Sequence, residues 1–306
     1  MALTHVRKST TRTSVMLAAL AAGGLMLAAQ SAHAQEACTR DILQRAGEDY
    51  IAAQETADPT NLHMALWVDY NEELQISLLS TGLLSKPMKV DFHRELYDTT
   101  ACKLFSEVVI ADPAHPYVVG TIITNGGGPG ASGPDFIGAI SSVVTDKANG
   151  WLFNPANTLK YSKAENWGPI PAAERDSRET LQGAADAYLN LFNDKNAKAP
   201  WGTPCARLEG GAYTSKAQPG SLNPDDSCNV GVPSGVPIVD RNYVIDPELG
   251  AVAVMSRFGK DQEPDVHTFR IEHGKLKYVH TITACVKVAN CGVKPSPAAQ
   301  AQASRN

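Results

Sequence analysis

Leu43-Gln44-Arg45-Ala46-Gly47-Glu48-Asp49-Tyr50-Ile51 and Leu181-Gln182-Gly183-Ala184-Ala185-Asp186-Ala187-Tyr188-Leu189 set Leu, Gln, Ala, Tyr and an aliphatic residue at the same spacings, 138 positions apart. Both lie on apolar stripes of helical period. The first predicts a helix from about Arg40 to Thr56, with Thr39 as N-cap and Asp41 in the first turn. The second predicts a helix from about Ser177 to Asn193, where Asp176 and Glu179 have capping-box spacing. A second echo follows in the same order. Val109-Ile110-Ala111-Asp112-Pro113 precedes the apolar run Tyr117–Thr124, and Val244-Ile245-Asp246-Pro247 precedes Ala251–Phe258, at an offset of 134. Each reads as an antiparallel hairpin turning at Asp-Pro. One match alone is within reach of chance. Two in order at nearly one offset indicate a tandem duplication of an α+β unit.

Working outward, Leu62–Trp67 reads as a short second helix, followed by a strand entered at Val68–Glu72. Asp91–Asp98 reads as a polar, partly helical piece, in which Arg94 and Asp98 would form an i,i+4 surface pair. Strands are expected at Cys102–Ile110, Tyr117–Asn125 and Ile137–Thr145. The run Gly126–Pro134 lacks the helix start that a phosphate cradle needs and reads as a hairpin connection. The second unit should close with strands at Val266–Ile271 and Leu276–Thr283. The resulting division is a first unit over 35–150, an aromatic joining segment over 151–175, a second unit over 176–291 and a low-complexity, disordered tail over 292–306.

The start of the chain has the pattern of an export signal. Arg7, Lys8 and Arg12 precede the apolar Val15–Ala29, and Ala32-His33-Ala34 is an A-x-A site. A periplasmic or secreted protein is the expectation. Cleavage after Ala34 would remove three positive charges and take the formal net charge from −5 to −8, which disfavours nucleic acid as a partner. No later apolar run approaches the roughly 20 residues of a membrane span, so no membrane insertion is expected. All six cysteines follow the cleavage site, and an even count in an exported chain suggests disulfides. Six cysteines leave the connectivity open; Cys205–Cys228, Cys285–Cys291 and Cys38–Cys102 are the pairs we expect. A zinc site is disfavoured, because no C-x-x-C or paired His-x-His spacing occurs.

The densest chemistry lies in Pro200-Trp201-Gly202-Thr203-Pro204-Cys205-Ala206-Arg207-Leu208-Glu209-Gly210-Gly211-Ala212-Tyr213-Thr214. Its Pro and Gly fix an irregular path. Arg207 and Glu209 share a face if the backbone is extended. One reading is a disulfide-anchored loop with a surface ion pair; the other is part of a ligand pocket.

Pro200–Gly211, Trp151–Phe153, Asn157–Tyr161 and Asp225–Gly231 resemble a group of secreted two-unit proteins, common in filamentous fungi, without a firmly assigned function. The resemblance spans nearly all of Ala37–Cys285; the Gly-rich run and the tail with Cys291 depart from it. It implies an α+β fold: a tandem pair of cone-shaped units, each a helical hairpin packed on a curved antiparallel sheet, similar to nuclear transport factor 2-like and SnoaL-like proteins. That wider fold carries isomerases, cyclases, dehydratases and small lyases as well as binding modules, so it implies a place for chemistry, the concave face, and no single reaction.

Alternation puts Leu276, Tyr278, His280 and Ile282 on one face of the last strand, the more apolar one, expected to point into the cone. His280 there is either a hydrogen-bonded core residue or a general acid/base. The offset of 138 carries Asn71 onto Glu209. The second cone is thus the expected chemical half. Glu209 and His280 are the acid/base candidates, Arg207 would hold an anionic oxygen, and Trp201, Tyr213, Arg241, Tyr243, Tyr278, Tyr161 and Glu165 would line or close the cavity. No nucleophile elbow, activated-thiol motif, Rossmann fingerprint or P-loop appears. The expectation is an exported, cofactor-independent lyase or isomerase acting on a small, partly apolar molecule. The alternatives are a carrier for an apolar ligand and a protein acting by surface association. The oligomeric state is not legible.

Overall fold

Thr39 Oγ1 accepts the Ile42 N–H and opens helix α1 (Arg40–Thr56), which buries Leu43, Ala46, Tyr50 and Ala53 on one side. The computed structural model describes residues 37–128 and 131–304, so the export-signal reading lies outside the described residues. After α1 come strands β1 (Met64–Glu72), β2 (Gln75–Ile76), β3 (Phe92–Asp98), β4 (Lys103–Ile110), β5 (Tyr117–Gly128) and β6 (Ala131–Thr145). Helix α2 (Pro155–Ala164) lies in the joining segment. The second half repeats the order with α3 (Arg178–Asn190), β7 (Trp201–Glu209), β8 (Ala212–Tyr213), β9 (Ile238–Asp246), β10 (Ala251–Phe258), β11 (Glu263–Glu272) and β12 (Lys275–Thr283). A short helix, α4 (Pro297–Ala303), follows.

The duplication is exact at the level of topology. The two sheets run β2-β1-β6-β5-β4-β3 and β8-β7-β12-β11-β10-β9. All neighbours are antiparallel except β1 with β6 and β7 with β12, which are parallel. Each sheet is therefore mixed. The tandem α+β arrangement stands.

Both halves belong to one compact body, and burial divides it into layers. Leu43, Tyr50 and Leu104 share a core between α1 and the first sheet; Leu181, Tyr188 and Phe269 share one between α3 and the second. A third core, with Leu96, Phe105 and Ile122 from the first sheet and Tyr278, Ile282 and Val266 from the second, lies between the sheets. The order is helix, sheet, sheet, helix, and both faces of each sheet are buried. Gly120 permits the close approach: a Cβ there would sit 3.2 Å from Val266 Cγ2 and 3.4 Å from Ile282 Cδ1.

Several local expectations change. Met64–Trp67 begins β1, and between α1 and β1 the described residues hold only the 3-10 turn Pro59–Asn61. Pairing with β6 overrides the helical spacing there, leaving Leu66 and Trp67 exposed. Asp91–Asp98 is a strand from Phe92 on, with Arg94, Leu96 and Asp98 buried on one face. Asp98 takes both guanidinium nitrogens of Arg178, at 2.6 and 2.7 Å, so it is no surface partner of Arg94. The N-cap of α3 is Ser177, while Asp176 accepts the Gly274 N–H. The glycine run extends the β5–β6 hairpin, with Gly126 opposite Gly133 and Gly128 opposite Ala131. Three disulfides form, Cys38–Cys102, Cys205–Cys228 and Cys285–Cys291, as expected. No helix among the described residues is long and apolar enough to cross a membrane.

Candidate functional site

Alternation along β7 sends Cys205, Arg207 and Glu209 toward α3, and Ala206 and Leu208 toward the first sheet. On β12, Thr281 and Thr283 share the side of Arg207; on β11, His267 does. With Phe192 just after α3 and Phe258 at the end of β10, these residues line a cavity of about 390 Å³ in the second cone. That is within the usual range for small-molecule sites. The C-terminal segment crosses it, contributing Cys291, Val293, Ala299 and Gln302 to the lining. It is tied down by the Cys285–Cys291 disulfide and by Asn154 Nδ2, which donates to the Ala303 carbonyl at 2.6 Å.

Two polar pairs bear on this cavity. Arg207 Nη2 meets Glu209 Oε1 at 2.8 Å, while Arg207 Nε and Nη1, both buried, have no hydrogen-bond partner. Burial alone would lower the Arg207 pKa, but the neighbouring Tyr188 and Glu209 raise it, so the charge is retained. The Tyr188 hydroxyl is pushed well above the ordinary phenol range by burial. The Arg207 charge beside it counters part of that effect, though the geometry stops short of a hydrogen bond. With Arg207 Nε and Nη1 and Tyr188 OH, Thr281 Oγ1 makes a fourth buried atom without a partner. This cluster of donors lacks an acceptor.

The second pair is Asp265 and His267, both essentially inaccessible. His267 Nδ1 lies 2.8 Å from Asp265 Oδ2 and donates to it, because a carboxylate can only accept. Thr283 Oγ1 donates to Asp265 Oδ1 at 2.6 Å and Ser256 Oγ to Oδ2 at 3.1 Å, which fixes the carboxylate. The imidazole is held further by Tyr188 and Phe192, each with its ring centre 5.6 Å away. With Nδ1 committed to Asp265, Nε2 is the remaining nitrogen on a ring that lines the cavity. Carboxylate, oriented imidazole and a guanidinium with two free nitrogens together can move a proton and hold a developing negative charge.

The residues expected from sequence fall into three places. Arg207 and Glu209 line the cavity. Trp201 lies behind it, edge-on to Tyr188 at 5.8 Å between ring centres. His280, Tyr278, Tyr213, Tyr161 and Glu165 do not line it; they meet between the two sheets. There His280 Nε2 lies 2.6 Å from Glu165 Oε2 and Nδ1 lies 3.1 Å from Glu107 Oε2. Tyr213 OH and Trp167 Nε1 donate to Glu165, Ser162 Oγ and Arg94 Nη1 donate to Glu107, and Tyr161 stacks on Tyr213. Burial works against a charged His280, yet Glu165 and Glu107 outweigh it and raise its pKa to about 9. Burial likewise opposes the Glu107 carboxylate, and the charges of His280 and Arg94 bring its pKa down to about 2. Glu107, Glu165 and both ring nitrogens of His280 are all engaged. Arg241 and Tyr243 make a third group, both bonded to Asp186 of α3.

The expected inward face of β12 is thus the face against the other sheet. A bulge at Lys277 also moves Leu276 to the α3 side, away from Tyr278. Sequence reasoning missed the Asp265–His267 pair, although Asp265-Val266-His267 in a strand places Asp and His on one face. Glu209 corresponds by strand register to Glu72, not Asn71: Glu72 faces Ser142 on β6 as Glu209 faces Thr281 on β12.

A family model described as a domain of unknown function, DUF8021, matches residues 174–283. The match opens just before α3 and ends with the last residue of β12, so it covers the half that holds the cavity. No curated protein matches the chain.

Proposed function

We propose that the second cone is the active site of an exported, cofactor-independent lyase or isomerase of SnoaL-like type, with His267 as the acid/base and Asp265 as its positioning residue. The observation that carries this reading is an imidazole fixed through Nδ1 by a buried carboxylate and set on a cavity that also holds a guanidinium with two unpartnered nitrogens. His267 Nε2 removes a proton from the carbon next to a carbonyl. The electron pair moves onto the carbonyl oxygen, where Arg207 stabilises it. Isomerisation ends when His267 returns the proton to a different carbon. In elimination a β-hydroxyl leaves with that proton as water. The three disulfides suit an oxidising compartment, which supports the export reading of the N-terminal segment.

The test is proton–deuterium exchange at the α-carbon of a panel of ketones, followed by NMR. Exchange catalysed by the wild type and lost in His267→Ala supports the reading; a wild type that exchanges none of them overturns it. The chain crossing the cavity favours a second reading, a carrier for an apolar molecule. A retained small molecule in the native mass spectrum, without exchange activity, would establish it.

A further inference from the structure

Among the described residues lining the cavity, Arg207 is the one inner residue with a fixed positive charge, and Glu209 is the carboxylate that stands against it. Asp265 reaches the cavity only through His267. Glu209 is different: it lines the cavity, is about one-fifth exposed and takes one of the three guanidinium nitrogens at 2.8 Å. The other positive side chain of the lining, Lys294, is exposed on the C-terminal segment, where water screens it. A ligand carboxylate at Arg207 would therefore be the second negative group beside one guanidinium. Burying such a charge without its own counter-ion is costly. An uncharged carbonyl meets no such penalty. It supplies the acceptor that Arg207 Nε and Nη1 and Thr281 Oγ1 lack, while Phe192 and Phe258 offer apolar walls for its body.

We propose that Glu209 is the specificity residue of this cavity, a built-in counter-ion to Arg207 that admits uncharged carbonyl compounds with an apolar or aromatic body and excludes carboxylates. The proposal rests on the second cone being a ligand site. It places Glu209 as a charge filter; proton transfer belongs to His267. In the first half the same register position holds Glu72, whose Oε1 takes the Tyr70 hydroxyl and the Leu83 N–H, so no cation there needs balancing.

The experiment compares two probes that share a ring system, 2-acetylnaphthalene and 2-naphthoate, binding to the intact protein by titration calorimetry. The wild type should bind the ketone at least about tenfold more tightly than the carboxylate. Glu209→Gln should close or invert that gap, and Glu209→Asp should keep it. Equal or tighter binding of naphthoate by the wild type overturns the proposal without any variant, and so does an unchanged preference in Glu209→Gln. If neither probe binds, the ligand-site reading falls as well. If the ketone is preferred but His267→Ala leaves proton exchange intact, only the acid/base reading falls.

Discussion

The two cones are built from equivalent positions and come to opposite ends. Strand register matches Tyr70, Glu72, Val119, Thr121, Ser142 and Val144 of the first with Arg207, Glu209, Asp265, His267, Thr281 and Thr283 of the second, and Tyr50 matches Tyr188. In the first cone Tyr50 OH, Thr121 Oγ1 and Ser142 Oγ form a closed chain at 2.8 and 2.9 Å. Leu83 and Leu84 from the loop after β2 fill the space beside α1, and Glu72 fixes that loop by accepting the Leu83 N–H. In the second cone the loop after β8 is stapled by Cys205–Cys228, the hollow stays open, and Arg207 Nε and Nη1, Tyr188 OH and Thr281 Oγ1 lack partners. One fold thus supports a filled core and an open one. Buried polar groups without partners cost stability, and such a cost is concentrated where a ligand can repay it.

The sharpest way to break this contrast is to write the first cone into the second. Asp265→Val with His267→Thr replaces the acid/base pair by the residues found at the equivalent positions. Catalysed exchange should fall by about 10²–10⁴-fold, the span of general acid–base catalysis, with the far-UV circular dichroism preserved. Undiminished exchange would show that the two cones do not differ in the way proposed.

Both cones are held as one body by the layer between them, where Glu107 and Glu165 flank His280. Glu107→Gln leaves His280 and Arg94 short of a counter-charge, and removing one partner of a buried pair costs about 3–5 kcal/mol. The pH dependence has a defined sign. His280, raised to about 9, contributes stability that is complete below its unfolded value near 6.5 and is lost as pH rises through 9. Glu107, lowered to about 2, contributes stability present above 4.5 and lost as pH falls through 2. Thermal melts of the wild type should peak between about pH 4.5 and 6.5, and Glu107→Gln should flatten both flanks. A wild-type optimum above pH 9 would contradict the charged arrangement.

The plug of the first cone offers the next test. Leu84→Ala should destabilise by about 2–5 kcal/mol, as buried Leu truncations do, and should open a hollow where none is needed. Denaturant titration gives the cost. A loss below about 1 kcal/mol would show that the loop after β2 collapses to refill the space.

Much of this was legible before any coordinates. The paired Leu-Gln-x-Ala motifs revealed the duplication, because helix stripes are written in short-range spacing. The Asp-Pro turns are not equivalent, since Asp112-Pro113 joins β4 to β5 whereas Asp246-Pro247 joins β9 to β10, the counterparts of β3 and β4. Arg207 and Glu209 were found because their strand is unusual in sequence. His280 was placed on the wrong side for a physical reason: alternation shows which residues share a face, and a sheet buried on both faces gives no polar side to orient by. The one-residue slip between Asn71 and Glu72 has a similar origin, since a single residue moves a side chain across the sheet. Asp265 and His267 were hidden by their ordinary appearance; only the cavity beside them separates a dyad from a core hydrogen bond.

The finest contrast lies in two tyrosines at matching helix positions. Tyr50 donates or accepts within a closed chain, so Tyr50→Phe should cost about 1 kcal/mol, the net worth of a hydrogen bond. Burial raises the Tyr50 pKa to about 12, so no ionised form contributes at neutral pH. Tyr188 carries a hydroxyl that is buried and unpartnered. Removing it relieves a desolvation cost, and Tyr188→Phe should be neutral or stabilising by up to about 1 kcal/mol. The pair of variants, measured by denaturant titration under one set of conditions, reads the difference between the cones at a single oxygen atom. Equal losses in both would mean that the second cone is already satisfied without a ligand, and the case for an open, ligand-seeking cavity would lose its most local support.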